Sequence, residues 1–127
     1  MTDFRTLTPN LMVRNMTDTI AFYKNVLGFE IKISYPEWAY LKKGNAELMF
    51  QPYTSLQKEF PELNKNVAGG ALTIFIQLDN VKELYDSIAD KSIIIRPFGV
   101  TAYNGANEFV IQDLNGFVLH FSDVLIT

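Results

Sequence analysis

The chain repeats one pattern of secondary structure, and this internal duplication constrains its fold more than any other feature of the sequence. Apolar and polar residues alternate over residues 7–13 and again over residues 71–78, which predicts a half-buried strand at the start of each copy. A helical period of apolar residues follows, over residues 20–27 and 81–88. Three short strand-like segments then close each copy.

Turn and capping residues divide the two copies into elements. Thr17 is the predicted N-cap of the first helix, and Gly28 is its predicted stop. Asn80 and Glu83 have the spacing of a capping box at the start of the second helix. The closing strands are predicted at residues 30–34, 38–42 and 46–50, and again at residues 92–97, 108–113 and 117–122.

These elements predict an α+β fold built from two βαβββ modules. We expect residues 1–127 to form a single domain, with the modules at residues 5–52 and 71–124. Residues 53–70 show no sustained period, so they are predicted to be a connecting loop with a helical turn near residues 56–60.

In each module one face of the sheet is expected to pack against the helix, and the other to line a shared cleft. Side chains alternate between the faces of a strand, so a slip of one residue would invert the assignment. The residues predicted under the helices are Leu11, Val13, Leu48, Phe50, Ile74, Ile76, Leu119 and Phe121. Those predicted to line the cleft are Thr8, Asn10, Met12, Glu47, Met49, Thr73, Phe75, Gln77, Val118 and His120.

The composition argues against several classes of protein. The chain has no cysteine, so a disulfide framework, a thiol nucleophile and a thiolate ligand are all excluded. A net charge of −3 without a basic cluster argues against nucleic-acid binding, and no apolar run is long enough to cross a membrane. The N-terminal residues lack the apolar core of a signal peptide, and the cytoplasm is the expected location.

Two segments of the chain carry a family likeness. TIAFYKNVLGFE, at residues 19–30, and VIQDLNGFVLHFSD, at residues 110–123, resemble the vicinal-oxygen-chelate superfamily of glyoxalase I, extradiol dioxygenases and bleomycin-resistance proteins. The segments TPNLMVRN, EWAYLKKGNAELMF and IQLDNVKELYDSI are most similar to the bleomycin-resistance branch. The resemblance implies the paired βαβββ fold and a homodimer whose clefts, at the subunit boundary, bind a bulky drug without chemistry. Pro9 matches the proline at which the N-terminal strand crosses to the partner in that branch.

The resemblance also implies where a metal would bind. Metal-dependent members place one ligand on each of four strands, and the matched positions here are Thr8, Met49, Thr73 and His120. Threonine hydroxyls and a thioether are poor donors for a divalent cation, so we expect neither a metal nor another cofactor. The alternative is an error in strand register that brings Glu47 inward beside His120, with Gln77 as a third donor.

His120 is the only histidine and the first candidate for a general base or a metal ligand. The simpler interpretation is a hydrogen-bonded histidine that lines a pocket, because a catalytic base usually needs an orienting partner. Glu47 is the only acidic candidate that the sequence suggests near it. If the protein is an enzyme, His120 and Glu47 are the predicted catalytic residues.

Aromatic and acidic side chains suggest what a ligand would contact. An aromatic wall that includes Phe98 would stack on a flat or cationic molecule, although aromatic residues are also ordinary core material. Glu37, Glu47 and Glu62 would attract a cationic drug or simply remain solvated. The predicted ligand-binding residues are Trp38, Tyr40, Glu47, Met49, Phe75, Tyr103 and His120.

Three functions follow as hypotheses. The first is a metal-free protein of the bleomycin-resistance type that sequesters a bulky aromatic or cationic small molecule, such as an antibiotic, in a homodimer cleft. The second is a glyoxalase-like metal-dependent lyase or isomerase, or a dioxygenase, that uses His120. The third is a dimeric interaction module whose cleft is vestigial.

Overall fold

The computed structural model describes residues 2–62, 72–101 and 105–124. The chain divides into two compact units, Met1–Ala68 and Gly69–Thr127. Each unit contains one four-stranded sheet and the helices that pack on it. The predicted α+β fold of duplicated βαβββ modules is thereby confirmed.

The described residues of the first unit form four strands and two helices. The sheet has the strand order β1-β4-β3-β2, with β1 parallel to β4 and the remaining pairs antiparallel. The elements are β1 (Asn10–Val13), α1 (Met16–Asn25), β2 (Glu30–Tyr35), β3 (Trp38–Lys43), β4 (Ala46–Pro52) and α2 (Tyr53–Glu59).

The second unit repeats this arrangement. Its sheet has the order β5-β8-β7-β6, again with one parallel pair, β5 with β8. A short 3-10 turn at Lys91–Ile93 precedes β6. The elements are β5 (Thr73–Gln77), α3 (Val81–Ser87), β6 (Ile94–Val100), β7 (Asn107–Gln112) and β8 (Val118–Ser122).

One face of each sheet forms the core of its unit. In the first unit Tyr23 of α1 is fully buried, and its ring lies 4.8 Å from the ring of Phe50 on β4. In the second unit Tyr85 of α3 lies 5.2 Å from Phe109, which stacks on Phe121. Burial of aromatic side chains removes a large apolar area from water, so these contacts fix which face of each sheet meets its helix.

The predicted assignment of faces agrees with the burial of the side chains. The predicted helix-facing residues of β1, β4 and β8 are all buried, whereas Ile74 and Ile76 on the edge strand β5 are half-buried. The residues predicted to line a cleft are half-buried or exposed. The observed strand register is therefore the one that the alternation predicts.

The predicted start of β1 and two predicted helix caps are wrong. Strand β1 begins at Asn10 rather than at residue 7, and helix α1 is capped by Asn15, whose Oδ1 accepts from the amide of Asp18 at 2.9 Å. Thr17 is an exposed residue of the first turn. The capping box at Asn80 does not form, because Asn80 has a φ of 58° and caps α3 with no side-chain hydrogen bond.

Helix α2 is longer than the helical turn predicted at residues 56–60, and it occupies the start of the segment predicted as a connecting loop. Within the described ranges, no helix has both the length and the apolar character that a membrane span requires.

The sequence DLNG, at residues 113–116, forms the turn between β7 and β8. Oδ1 of Asp113 accepts from the backbone amides of Asn115 and Phe117, at 2.9 and 2.8 Å. Gly116 supplies the left-handed conformation, with a φ of 90°, that completes the reversal. Both Asp113 and Asn115 are buried, so this turn holds the two strands in one register.

We expect Asn15→Ala to lower the free energy of unfolding by about 1 kcal/mol, because α1 loses the side chain that satisfies one of its first amides. Thr17→Ala is the matched control and should change it by less than about 0.5 kcal/mol, since Thr17 is exposed. Urea denaturation followed by circular dichroism measures both. A larger loss for Thr17→Ala than for Asn15→Ala would contradict the observed cap.

Candidate functional site

The open face of the second sheet, which is the face turned away from the core, carries the only histidine of the chain. His120 lies in the middle of β8, an inner strand, and pairs with Phe75 on β5 and with Val110 on β7. Paired residues of neighbouring strands share a face. Arg96 of β6 pairs with Val110 and so adds a guanidinium to the same face.

Glu108 connects the charged groups of this face. Its Oε2 lies 2.6 Å from Nε2 of His120, and its Oε1 lies 3.2 Å from a guanidinium nitrogen of Arg96. Only 10% of the Glu108 side chain is exposed, compared with 61% of the Arg96 side chain. Both carboxylate oxygens therefore make charge-assisted contacts at a position that water scarcely reaches.

The prediction that Glu47 is the only acidic candidate near His120 is wrong, because Glu108 is its partner. The sequence contained a signal for this pair. The turn at Asn115 and Gly116 sets Val110 opposite His120, and Glu108, two residues earlier on β7, shares the face of Val110. Alternation along β7 is needed to find this partner, and the faces predicted from the sequence cover only β1, β4, β5 and β8.

Phe75 forms the apolar side of this group. Its ring centre lies 4.9 Å from that of the His120 imidazole, with the two planes inclined by 62°. Phe75 is 44% exposed, so much of its ring is open to solvent. We call Arg96, Glu108, His120 and Phe75 the imidazole cluster.

The open face of the first sheet carries four of the predicted ligand-binding residues. Trp38 and Tyr40 alternate along β3, and Glu47 and Met49 alternate along β4, with Tyr40 directly opposite Met49. All four are half-buried. The Tyr40 hydroxyl donates to a carboxylate oxygen of Glu47. This hydrogen bond, with burial and the negative charge of Glu47, raises the pKa of Tyr40 above its ordinary value.

A second polar network on this sheet was not predicted. Nδ2 of Asn10 donates to Oε1 of Gln51 at 2.7 Å, and Nε2 of Gln51 donates to Oγ of Ser55 at 3.1 Å. Gln51 is buried, so its amide needs these partners. The network connects β1, β4 and the first turn of α2. No periodicity indicates it, because α2 lies in the segment expected to be a loop.

The remaining predicted contact residues are distributed as follows. Phe98 contacts Tyr85 of α3, with ring centres 5.9 Å apart, so it belongs to the core side of the second unit rather than to an aromatic wall on the open face. Glu37 and Glu62 are exposed. Tyr103 lies outside the described residues.

The residues at the family's four ligand positions do not fit a divalent metal. Thr8 and Thr73 offer only hydroxyls and Met49 a thioether, while Nε2 of His120 is held by Glu108. Within residues 2–62, 72–101 and 105–124, no three histidine, aspartate or glutamate side chains come together as a metal site would require. The register error that the alternative metal site needed does not occur, since Glu47 shares the face of Met49 on β4, as the alternation predicts.

We expect Glu47→Gln to lower the pKa of Tyr40 toward its ordinary value, because the substitution removes both the charge and the carboxylate acceptor. The difference in phenolate absorbance between each protein and its Tyr40→Phe counterpart, followed against pH, measures this pKa. The hydrogen bond should stabilise the fold below the ordinary tyrosine pKa, and this stabilisation should be lost as pH rises through the raised value. Glu37→Gln, at an exposed position, is the control; an equal effect of both substitutions would contradict the assignment.

The fold of the two units is shared with solved structures of low sequence identity. A protein of unknown function from Agrobacterium tumefaciens is 19% identical over 98% of both chains, with a TM-score of 0.82. A glyoxalase-related enzyme from Fulvimarina pelagi is 13% identical over 93% of this chain and 86% of its own, with a TM-score of 0.78. The bleomycin-binding protein of Streptomyces verticillus, solved with copper(II)-bleomycin, is 22% identical over 95% of this chain and 97% of its own, with a TM-score of 0.69.

No curated protein gives a significant sequence match. One family model does match, and it extends from residue 5 to residue 121, through both sheets and the open faces described above. Since this match covers nearly the whole chain, the protein belongs to the Glyoxalase/Bleomycin resistance protein/Dioxygenase superfamily.

Proposed function

We propose that the protein binds a bulky, partly aromatic or cationic small molecule and holds it without chemical change, in the manner of a bleomycin-resistance protein. The observation that carries the proposal is the side-chain chemistry at the family's ligand positions. Two threonines and a methionine replace strong donors, and the one histidine is engaged by Glu108. Such a set favours binding through surface contact over metal chemistry.

The open faces supply the contacts that this kind of binding needs. Pockets for small molecules combine apolar and aromatic walls with a few fixed polar groups. Trp38 and Met49 offer such a wall on the first sheet, and Phe75 offers one on the second. Glu47 provides a carboxylate that Tyr40 holds in place, so a cationic group on the ligand would meet an oriented negative charge.

The structural neighbours are consistent with this proposal. The neighbour from Streptomyces verticillus is a bleomycin-binding protein, and another neighbour, 23% identical with a TM-score of 0.66, is a bleomycin-binding protein solved with bleomycin. At such identities the likeness extends to the fold, and the ligand of this chain follows from its own side chains. We further propose a homodimer with clefts at or near the subunit boundary, acting in the cytoplasm.

The single tryptophan gives a direct test of ligand binding. Titration with metal-free bleomycin, copper-loaded bleomycin and a panel of planar aromatic amines should produce a saturable change in Trp38 fluorescence for at least one compound. Tyr40→Ala should weaken that binding about tenfold, because truncating a central aromatic contact commonly costs more than 1 kcal/mol. Phe22→Ala, at a half-buried aromatic residue of α1 on the helix side of the sheet, is the matched control and should leave the affinity unchanged.

The absence of any saturable change, together with no thermal stabilisation by any compound of the panel, would overturn the proposal. Sedimentation equilibrium tests the dimer separately, since the proposal expects twice the mass of one chain and a monomer would exclude a cleft at a subunit boundary.

A second candidate is an enzyme in which His120 acts as general base, and the contact between His120 and Glu108 favours it. A carboxylate that orients an imidazole is the usual partner of a catalytic histidine. In this case Glu108 takes the orienting role that the sequence suggested for Glu47. His120→Ala separates the candidates: loss of turnover in a glyoxalase-type assay with an intact fold supports the enzyme, and retained ligand binding without turnover in the parent protein supports sequestration.

A further inference from the structure

We infer that the imidazole cluster is a fixed hydrogen-bond acceptor, in which Glu108 holds the Nε2–H of His120 and leaves Nδ1 to accept from a ligand. The ligand class that this arrangement selects is a planar aromatic compound with a hydroxyl or ring N–H donor, seated against Phe75. The inference rests on the proposed function and specifies its ligand.

The contact with Glu108 determines which nitrogen of the His120 imidazole carries the proton. Oε2 of Glu108 lies 2.6 Å from Nε2, while Oε1 faces the guanidinium of Arg96 at 3.2 Å. A guanidinium only donates, and a carboxylate beside it acts as the acceptor. Nε2 is therefore the donor in the contact with Glu108, which fixes the Nε2–H tautomer of a neutral imidazole.

The position of Glu108 on the sheet restricts the imidazole ring of His120. Glu108 lies on the inner strand β7, beside Val110, which is 5% exposed. Its carboxylate is bound at both oxygens, and these contacts restrict its rotation away from His120. The turn at Asp113 fixes β7 against β8 and so sets the spacing between the two side chains.

The other nitrogen of the imidazole ring, Nδ1, is the one left for a ligand. Nδ1 of His120 takes part in no hydrogen bond with any of the described residues. The side chain is 23% exposed, so a ligand can reach it. Neutral Nδ1 with this tautomer is an acceptor. A ligand that offers only acceptors or only apolar groups would leave it without a partner, which costs affinity when the ligand excludes water.

The ring of Phe75 favours a flat ligand. Phe75 lies beside the imidazole, with ring centres 4.9 Å apart, and has nearly half its surface exposed. Aromatic rings prefer offset or edge-to-face contacts at such distances, so a flat ring laid against Phe75 lies within reach of His120. A hydroxyl or N–H on its edge is then the donor that Nδ1 accepts.

The tautomer can be measured directly, because one histidine gives one set of imidazole signals. Two-bond proton–nitrogen NMR of isotope-labelled protein at mildly alkaline pH should show the Nε2–H tautomer at high population. Glu108→Gln should reduce that population, and Asp86→Asn, the same change at an exposed carboxylate of α3, should not. An Nδ1–H tautomer or a persistent imidazolium in the parent protein would overturn the inference, and this measurement needs no variant to fold.

The ligand class is tested with a matched pair, 2-naphthol and its methyl ether, which differ only in the hydroxyl donor. Calorimetric or NMR titration should show about fivefold tighter binding of 2-naphthol, because its hydroxyl donates to Nδ1 and the methyl ether has no donor. The preference should disappear in His120→Ala and shrink in Glu108→Gln. Asp86→Asn should retain it.

The outcomes separate this inference from the function beneath it. Equal binding of the two compounds, or binding only of aromatic amines through the first sheet, overturns the inference and leaves the proposed function standing. No binding by any aromatic compound overturns the proposed function, and the ligand class falls with it.

Discussion

Burial of one sheet face under a helix is the interaction on which the rest of each unit depends. Side chains alternate strictly along a strand, so packing Phe50 under Tyr23 of α1, and Phe109 under Tyr85 of α3, determines every residue of the opposite face. The open faces are therefore a consequence of the core. A slip of one residue would bury His120 and Met49 and expose the aromatic core, which the loss of apolar burial makes very unfavourable.

The same architecture serves different chemistry in the two units. Repeat-equivalent positions hold Met49 and His120 on the closing strands, and Trp38 and Glu108 on the strands beside them. The first sheet thus presents an aromatic and thioether surface with one tyrosine–carboxylate pair, and the second presents a buried carboxylate between an imidazole and a guanidinium. The two units therefore share one backbone arrangement but differ in the side chains of their open faces.

The fold and the faces could be predicted because they depend on periodicity, which a single sequence displays. The partner of His120 follows only when β7 is paired with β8 across the turn at Asn115 and Gly116, because the periodicity of one strand does not specify its neighbour. The cap at Asn15 and the failed capping box at Asn80 depend on backbone angles that spacing does not specify. The buried amide of Gln51 has its partners on two other elements, and no local pattern encodes such a contact.

We propose that this member of the superfamily does not depend on a metal, because the donors at the family positions are too weak. The decisive measurement is the metal content per subunit after incubation with zinc, nickel, manganese or ferrous iron and then desalting. Far less than one metal ion per subunit is expected for every cation. Near-stoichiometric retention that His120→Ala abolishes would contradict it and make the metal-dependent enzyme the leading function.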